Sequence, residues 1–187
     1  MQEINQVRYT DPSPPSLTLI TSIRTLQGVG AHSALMVNGS QRVIFDPAGS
    51  FSASINGRPA GPQRGDVIYG VSPAVLNAYI DFQSETGFHV VTITLPVSSD
   101  VAEEALYKVE HHGWVSMALC ADATSTLLTS LPGFKSLSPS FFPRAFMREV
   151  AKLPDATIRT YVNGVQVPNN SARDPRHPDR LPSRVDF

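Results

Sequence analysis

Three side chains in this sequence carry the groups that acyl transfer by a thiol requires. Such a reaction needs a thiolate, a base that carries its proton, and a polar group that holds the base in one tautomer. Cys120 is the single cysteine of the chain, His32 is one of five histidines, and Asp46 directly precedes a proline. These residues predict a nucleophile, a general base and an orienting carboxylate, in the chain order His32, Asp46, Cys120.

The residues around Cys120 predict that it opens a helix, CADATSTLLTSL, which Pro132 and Gly133 end. Unpaired N–H groups and the positive end of the helix dipole stabilise an anion there and lower the pKa of a thiol. The same N–H groups can bind the oxyanion of a tetrahedral intermediate. Cys120 shares its helical face with Thr124 and Leu127, so the alternative is that it is a small buried side chain of the core.

His32 and Asp46 lie on two runs, GAHSALMV and RVIFD, that we interpret as the strands of a hairpin. If the hairpin centres on Gly39, His32 lies opposite Asp46, with about 5 Å between their Cβ atoms. A two-residue Asn38-Gly39 turn would instead put Phe45 opposite His32 and Asp46 on the other face, unless a bulge restores it. The register is open. The alternatives are a strand-end histidine bonded to a loop carbonyl and a turn aspartate before proline.

The remaining patterns predict one α+β domain in which an antiparallel sheet packs against helices. Apolar, β-branched runs predict strands at 17–23, 66–70, 88–95 and 157–162, and residues 17–46 read as an antiparallel meander. Helical spacing and capping residues predict helices opened by Ser72-Pro73, by Ser98 and by Cys120, and a fourth over 141–153. The Gly- and Pro-rich stretch 47–65 predicts a long loop bordering a functional cleft.

The domain is expected to cover residues 17–163. Residues 1–16 contain three prolines and predict an extended arm. Residues 164–187 form a Pro- and Arg-rich tail, in which we expect disorder, or order that depends on a partner, from residue 168 onward.

Composition and spacing exclude several classes of function. With 187 residues, a net charge of −1 and 17% charged residues, the chain has no long-range attraction to nucleic acid or to an anionic membrane. No apolar run approaches the roughly 20 residues of a membrane-spanning helix. His111-His112 beside Glu110, and His89 on a strand, lack metal-binding spacing, so neither a metal nor another cofactor is expected.

The pair GAHSALMV and RVIFDPAG resembles the His-bearing hairpin of circularly permuted papain-like thiol enzymes. These include permuted NlpC/P60-like hydrolases, the lecithin:retinol acyltransferase-like group and the PPPDE thiol peptidases. In them the His strand precedes the Cys helix, and a polar residue on the following strand orients the histidine. RGDVIYG is similar to a strand common in NlpC/P60 proteins. The resemblance covers roughly residues 17–131, although Ala118-Leu119 replaces the frequent Asn before the cysteine and Gly65-Asp66 follows the hairpin rather than preceding it.

The resemblance implies a cysteine-dependent hydrolase or acyltransferase that acts on an amide, ester or thioester in a peptidoglycan peptide, a lipid or an isopeptide. The chain also resembles a group of small alphaproteobacterial proteins that often carry lipoprotein-type leaders, which implies the cell envelope or periplasm if a leader has been removed, and the cytoplasm otherwise. The alternative function is a non-catalytic accessory subunit of a larger bacterial envelope or membrane assembly. Such a subunit would bind a protein partner through residues 1–16 and 168–187.

Overall fold

A computed structural model describes residues 7–55 and 57–168 of the chain. Within these ranges the fold is α+β, as the sequence predicted, with an eight-stranded antiparallel sheet, a separate two-stranded sheet and four helices. The strands are β1 (Ser16–Arg24), β2 (Val29–Asn38), β3 (Arg42–Phe45), β4 (Ser54–Ile55), β5 (Arg58–Pro59), β6 (Gln63–Arg64), β7 (Val67–Ile68), β8 (Phe88–Pro96), β9 (Thr157–Val162) and β10 (Val165–Val167). The helices are α1 (Pro73–Gln83), α2 (Ser99–His111), α3 (Cys120–Thr129) and α4 (Pro143–Val150).

The large sheet has the strand order β10-β9-β8-β1-β2-β3-β7-β6, and all its neighbours pair antiparallel. The predicted meander is therefore present as β1, β2 and β3. The strand predicted at 66–70 is shorter, because Gly70 has a φ of +63° and turns the chain away. Strand β10 lies within the range assigned to the tail, and the disorder expected beyond residue 168 lies outside the described residues.

Local capping chemistry decides where the helices begin. The hydroxyl of Ser72 accepts a hydrogen bond from the N–H of Val75, and the hydroxyl of Ser98 accepts one from Val101, as expected for N-cap serines. Helix α4 begins at Pro143 rather than at the predicted residue 141, because the residue before a proline is disfavoured in the helical region.

The two faces of the sheet bury different helices. Side chains of β2 alternate, so Leu35 and Val37 face the core formed with α2, α3 and α4, whereas Ala34 faces the core formed with α1. His32 has the parity of Ala34 and therefore belongs to the α1 side of the sheet. The helix that carries the predicted nucleophile and the side chain of the predicted base thus belong to opposite faces of the large sheet.

An early end to strand β3 brings the two faces together. The β2–β3 ladder runs from Asn38↔Arg42 to Leu35↔Phe45 and stops there, so β2 has an edge without β3 from Ala34 backward. Helix α3 fills this place, and the hydroxyl of Thr124 donates a 3.2 Å hydrogen bond to the backbone oxygen of Ser33. The beginning of α3 consequently lies next to the end of β2 that carries His32.

The N-terminal arm packs at the opposite end of strand β3, away from His32. The backbone N–H of Arg42 donates to the carbonyl of Tyr9 at 2.7 Å, and the Arg42 guanidinium pairs with Asp11 at 2.5 Å. Residues 7–15 contain no helix or strand, which agrees with the predicted extended arm, and Ser16 already belongs to β1.

Two buried hydroxyls in the core next to α3 have no hydrogen-bond partner among the described residues. Thr21 of β1 and Ser33 of β2 are cross-strand partners, both are fully buried, and neither side-chain oxygen is paired. We expect Thr21→Val to raise the free energy of unfolding by about 1 kcal/mol, because valine fills the same volume without an unpaired polar atom. Urea denaturation of the two proteins measures this difference.

Thr18→Val on the same strand is the matched control. The Thr18 hydroxyl lies 2.9 Å from that of Thr94, so its removal leaves the half-buried hydroxyl of Thr94 without this partner and should lower the free energy of unfolding. If Thr21→Val destabilises the protein as much as Thr18→Val does, the Thr21 hydroxyl has a partner and this account of the core is wrong.

Candidate active site

The structure brings His32, Asp46 and Cys120 together. The Nε2 of His32 lies 2.6 Å from Oδ1 of Asp46, and the thiol of Cys120 is near enough to the imidazole of the same histidine for each group to shift the pKa of the other. Because Nε2 is bonded to the carboxylate, Nδ1 is the ring nitrogen left for the sulfur. The thiol, the imidazole and the carboxylate are therefore grouped around His32.

The hairpin register differs from both alternatives that the sequence left open. The pairing Leu35↔Phe45 means that Asp46, if the ladder continued, would lie opposite Ala34. Asp46 is therefore on the face of His32, as the hairpin centred on Gly39 predicted, but one diagonal step away from it. Diagonal neighbours on one face of a sheet are still within reach of each other's longer side chains. The 2.6 Å bond is formed across this diagonal.

Cys120 is 8% exposed, so its thiol is not on the open surface but is not sealed off either. Burial raises the pKa of the thiol, and this is the largest single effect. The hydrogen bond and the positive charge of His32 oppose it, together with the backbone N–H groups of Ser33 and Ala121. Their sum lowers the pKa of Cys120 below its ordinary value of 9.0.

The imidazole of His32 is shifted in the complementary direction. Burial alone would lower its pKa, but the hydrogen bond to Asp46, the hydrogen bond to Cys120 and the charges of both raise the pKa from 6.5 to about 9. A lowered thiol pKa and a raised imidazole pKa both favour the thiolate–imidazolium form of the pair. In this state both ring nitrogens donate, one to the carboxylate and the other to the sulfur.

The position of Asp46 is fixed by its own backbone and by the loop that follows. Its N–H donates to the carbonyl of Asp66 at 2.7 Å, and its carbonyl accepts from the N–H of Gly49 at 2.9 Å. A Cβ atom on Gly49 would lie 1.8 Å from Oδ2 of Asp46, which no side chain can occupy. The residue at this position must be glycine for the carboxylate to keep its place.

Asp66 connects this loop to the segment before the cysteine. Its Oδ2 accepts from the N–H of Val115 at 2.7 Å and from the N–H of Ala48 at 3.3 Å. The buried carboxylate of Asp66 therefore holds together the chain after Asp46 and the chain that leads into α3. It positions the two halves of the site relative to each other.

Two further side chains extend this group through hydrogen bonds. The hydroxyl of Tyr79 donates to Oδ1 of Asp46 at 2.6 Å, and the side-chain amide of Gln83 donates to the tyrosine oxygen at 3.2 Å. Neither residue was predicted from the sequence, where Tyr79 counted only as an apolar position of α1. The one signal was the four-residue spacing of a tyrosine and a glutamine, which places both on one helical face.

A cavity of about 230 Å³ opens beside His32. The loop after Asp46 forms one wall, and the end of α1 together with the start of β8 forms another. The first part of the stretch 47–65 therefore borders a cavity, as predicted for this loop. Its lining residues are Ser22, Ala31, His32, Ala48, Gly49, Ser50, Phe82, Gln83, Glu85 and Phe88. It is a concave surface next to the imidazole where part of a substrate can bind.

Within the described ranges, the three histidines besides His32 are engaged elsewhere in the fold. Nδ1 of His111 bonds to the carbonyl of Tyr107 at 2.7 Å, the ring of His112 packs on Phe45, and Nδ1 of His89 lies 3.1 Å from the hydroxyl of Thr25. Among residues 7–55 and 57–168, no group of three or more His, Cys, Asp or Glu side chains is arranged to hold a metal ion.

Comparison with models of protein families, with curated proteins and with solved structures finds no match. The resemblance to permuted papain-like enzymes and the cell-envelope location therefore remain predictions. The alternative of an accessory subunit depends on residues 1–16 and 168–187, of which 1–6 and 169–187 lie outside the described ranges, and it also remains a prediction. In the described part of the chain, no helix has the length and apolarity to cross a membrane.

Proposed function

We propose that the protein is a cysteine-dependent hydrolase or acyltransferase that acts on an amide, ester or thioester. The observation that carries the proposal is the connected chain Cys120–His32–Asp46, in which the pKa of the thiol is lowered and that of the imidazole is raised to about 9. A structural cysteine of the core needs no such partner. A nucleophile needs this one, because the thiolate is the reactive form.

In the proposed reaction, the sulfur of Cys120 attacks the substrate carbonyl carbon, forming a C–S bond while the carbonyl electrons move to the oxygen. Backbone N–H groups at the beginning of α3, that of Cys120 among them, help to stabilise this oxyanion. His32 gives its Nδ1 proton to the leaving amine, alcohol or thiol as the scissile bond breaks. The product of this step is an acyl-thioester on Cys120.

The second half of the reaction removes the acyl group and regenerates the free thiolate of Cys120. The neutral imidazole of His32 takes a proton from water, or from the amine or hydroxyl of an acceptor, and the resulting nucleophile attacks the thioester. The thiolate leaves and His32 is again protonated. Asp46 stays ionised throughout, keeps the proton on Nε2 and holds the ring in the tautomer that presents Nδ1 to the sulfur.

Trapping of the covalent intermediate tests this proposal. The protein is mixed with activated acetyl esters and thioesters as probes, quenched in acid and analysed by intact and peptide mass spectrometry. We expect one acetyl group per chain on Cys120, none on Cys120→Ser, and acylation at least about tenfold slower in His32→Ala, since general base assistance contributes about 10²–10⁴-fold. Equal acetylation of surface lysines in all three proteins, with Cys120 unmodified, would contradict the proposal.

A further inference from the structure

Tyr79 and Gln83 have no role in the proposed reaction, although Tyr79 donates a hydrogen bond to its carboxylate and Gln83 donates one to Tyr79. Tyr79 is fully buried, on the side of the sheet covered by α1, and its hydroxyl reaches the oxygen of Asp46 that also binds His32. Oδ1 of Asp46 therefore accepts two hydrogen bonds of 2.6 Å, one from the tyrosine and one from the imidazole.

The direction of each hydrogen bond follows from the chemistry of the groups. An ionised carboxylate only accepts, so the hydroxyl of Tyr79 must donate its hydrogen to Asp46. The tyrosine oxygen then has lone pairs and no hydrogen left for Gln83, which must turn its NH₂ group toward it at 3.2 Å. Gln83 thus fixes the hydroxyl rotor of Tyr79, and Tyr79 points its hydrogen at Asp46.

The environment keeps this donor available. Burial raises the pKa of Tyr79 well above 10.0, and the nearby charge of Asp46 raises it further. The hydroxyl is consequently protonated wherever the protein is folded at moderate pH. Packing supports the geometry, since the ring of Phe51 makes an edge contact with that of Tyr79 at 5.2 Å between centroids.

We propose that Tyr79, oriented by Gln83, is a positioning residue for the proposed Cys120–His32–Asp46 reaction. It shares the charge of Asp46 and fixes the direction of the carboxylate, so that the Nε2 proton stays on His32 and Nδ1 stays aimed at the sulfur. The inference rests on the proposed function. Two hydrogen bonds to Oδ1 of Asp46, from Tyr79 and from His32, fix the carboxylate and with it the orientation of the His32 ring. With the His32 bond alone, the carboxylate could rotate.

The test measures alkylation of Cys120 by iodoacetamide as a function of pH, in wild type, Tyr79→Phe and Tyr69→Phe. Tyr69→Phe is the matched control, because it removes the hydroxyl of another buried tyrosine, one that bonds to Arg64 rather than to Asp46. We expect Tyr79→Phe to move the acid limb of the profile toward higher pH and to slow alkylation on that limb by about tenfold, the order of one hydrogen bond to a charged group. Tyr69→Phe should leave the profile in place.

Gln83→Glu and Gln83→Leu provide a second, independent test on a side chain that borders the cavity beside His32. A carboxylate at position 83 only accepts, so it competes with Asp46 for the hydrogen of Tyr79 and should shift the profile as Tyr79→Phe does. Gln83→Leu removes the amide that orients the Tyr79 hydroxyl but does not compete for its hydrogen. We therefore expect a smaller shift of the alkylation profile in this variant. This order distinguishes orientation of the hydroxyl from simple loss of packing.

The outcomes separate the inference from the function on which it rests. If wild type shows fast alkylation that requires His32, yet Tyr79→Phe matches Tyr69→Phe and Gln83→Glu matches Gln83→Leu, the positioning role is wrong and the proposed function survives. If alkylation in wild type is no faster than that of a free thiol and is independent of His32, the proposed function fails, and the inference fails with it.

Discussion

His32→Ala is expected to slow the alkylation of Cys120 by iodoacetamide about a hundredfold at about pH 6. The thiolate is the reacting form, and His32 provides the hydrogen bond and positive charge that lower the pKa of the thiol. Without the imidazole, only burial and the backbone N–H groups of Ser33 and Ala121 remain, and burial raises the pKa. At that pH almost all of the cysteine would then be protonated.

The measurement is the second-order rate constant over a range of pH, with His111→Ala as the matched control. His111 is exposed, and its ring bonds to the carbonyl of Tyr107 one helical turn away. Its removal should leave the rate of Cys120 unchanged. Equal rates for wild type and His32→Ala, both no faster than a free thiol, would mean that Cys120 is a core residue with an incidental neighbour.

The second large effect concerns stability and pH in Cys120→Ser. Considered alone, His32 has a pKa of about 9 in the folded protein and 6.5 in the unfolded chain. Its contribution to the free energy of unfolding is therefore complete below pH 6.5 and is lost as the pH rises through 9. Considered alone, Cys120 has a thiol pKa below 9.0 in the folded protein. Its contribution to the free energy of unfolding is therefore complete above pH 9.0 and is lost as the pH falls through the pKa of the folded protein's thiol. Between the folded pKa of Cys120 and 9, these two effects on the stability of the wild type oppose each other.

Replacing the thiol with a hydroxyl removes one of the two opposing effects. The bond to Asp46 still raises the pKa of His32, so the free energy of unfolding of Cys120→Ser should fall relative to wild type as the pH rises from the folded pKa of Cys120 to 9. The change grows by about 1.36 kcal/mol for each pKa unit by which folding lowers the pKa of the thiol. Urea unfolding of both proteins at several pH values measures it, because all other titrating groups are common to the two.

Parallel curves for wild type and Cys120→Ser would contradict the linked ionisation of the pair. Asp46→Asn in the Cys120→Ser background is the control, since an amide lacks the charge that keeps the imidazole protonated. That double variant should lose most of the pH-dependent decrease that Cys120→Ser shows.

Local chemistry made much of the fold predictable from the sequence. Ser72 and Ser98 were predicted to begin helices and do so, because an N-cap depends on contacts within one turn. The hairpin register was not predictable in this way. Residues 39–41 form a wider loop than a tight Asn-Gly turn, and Glu103 of α2 accepts from the hydroxyl of Ser40 at 2.9 Å. This long-range contact changes the pairing by two residues.

The same difference between local and long-range contacts decides which residues of the site were predictable. Cys120, His32 and Asp46 stand out as residue types, and the period-two alternation of the strands places His32 and Asp46 on one face. Tyr79 did not stand out, because a tyrosine on the apolar face of a helix looks like core until its neighbour across the sheet is known. Gly49 is required by the side chain of Asp46 three residues earlier, and a glycine in a loop rich in glycines gives no sign of this.

The ring-nitrogen NMR chemical shifts of His32, recorded on protein with isotope-labelled histidine and assigned with His32→Ala, test the central claim most directly. At a pH midway between 6.5 and 9, both nitrogens of this ring should carry a proton, because a charged imidazole is held between a carboxylate and a sulfur anion. A ring with one bare nitrogen at that pH, titrating near the value of free histidine, would contradict it.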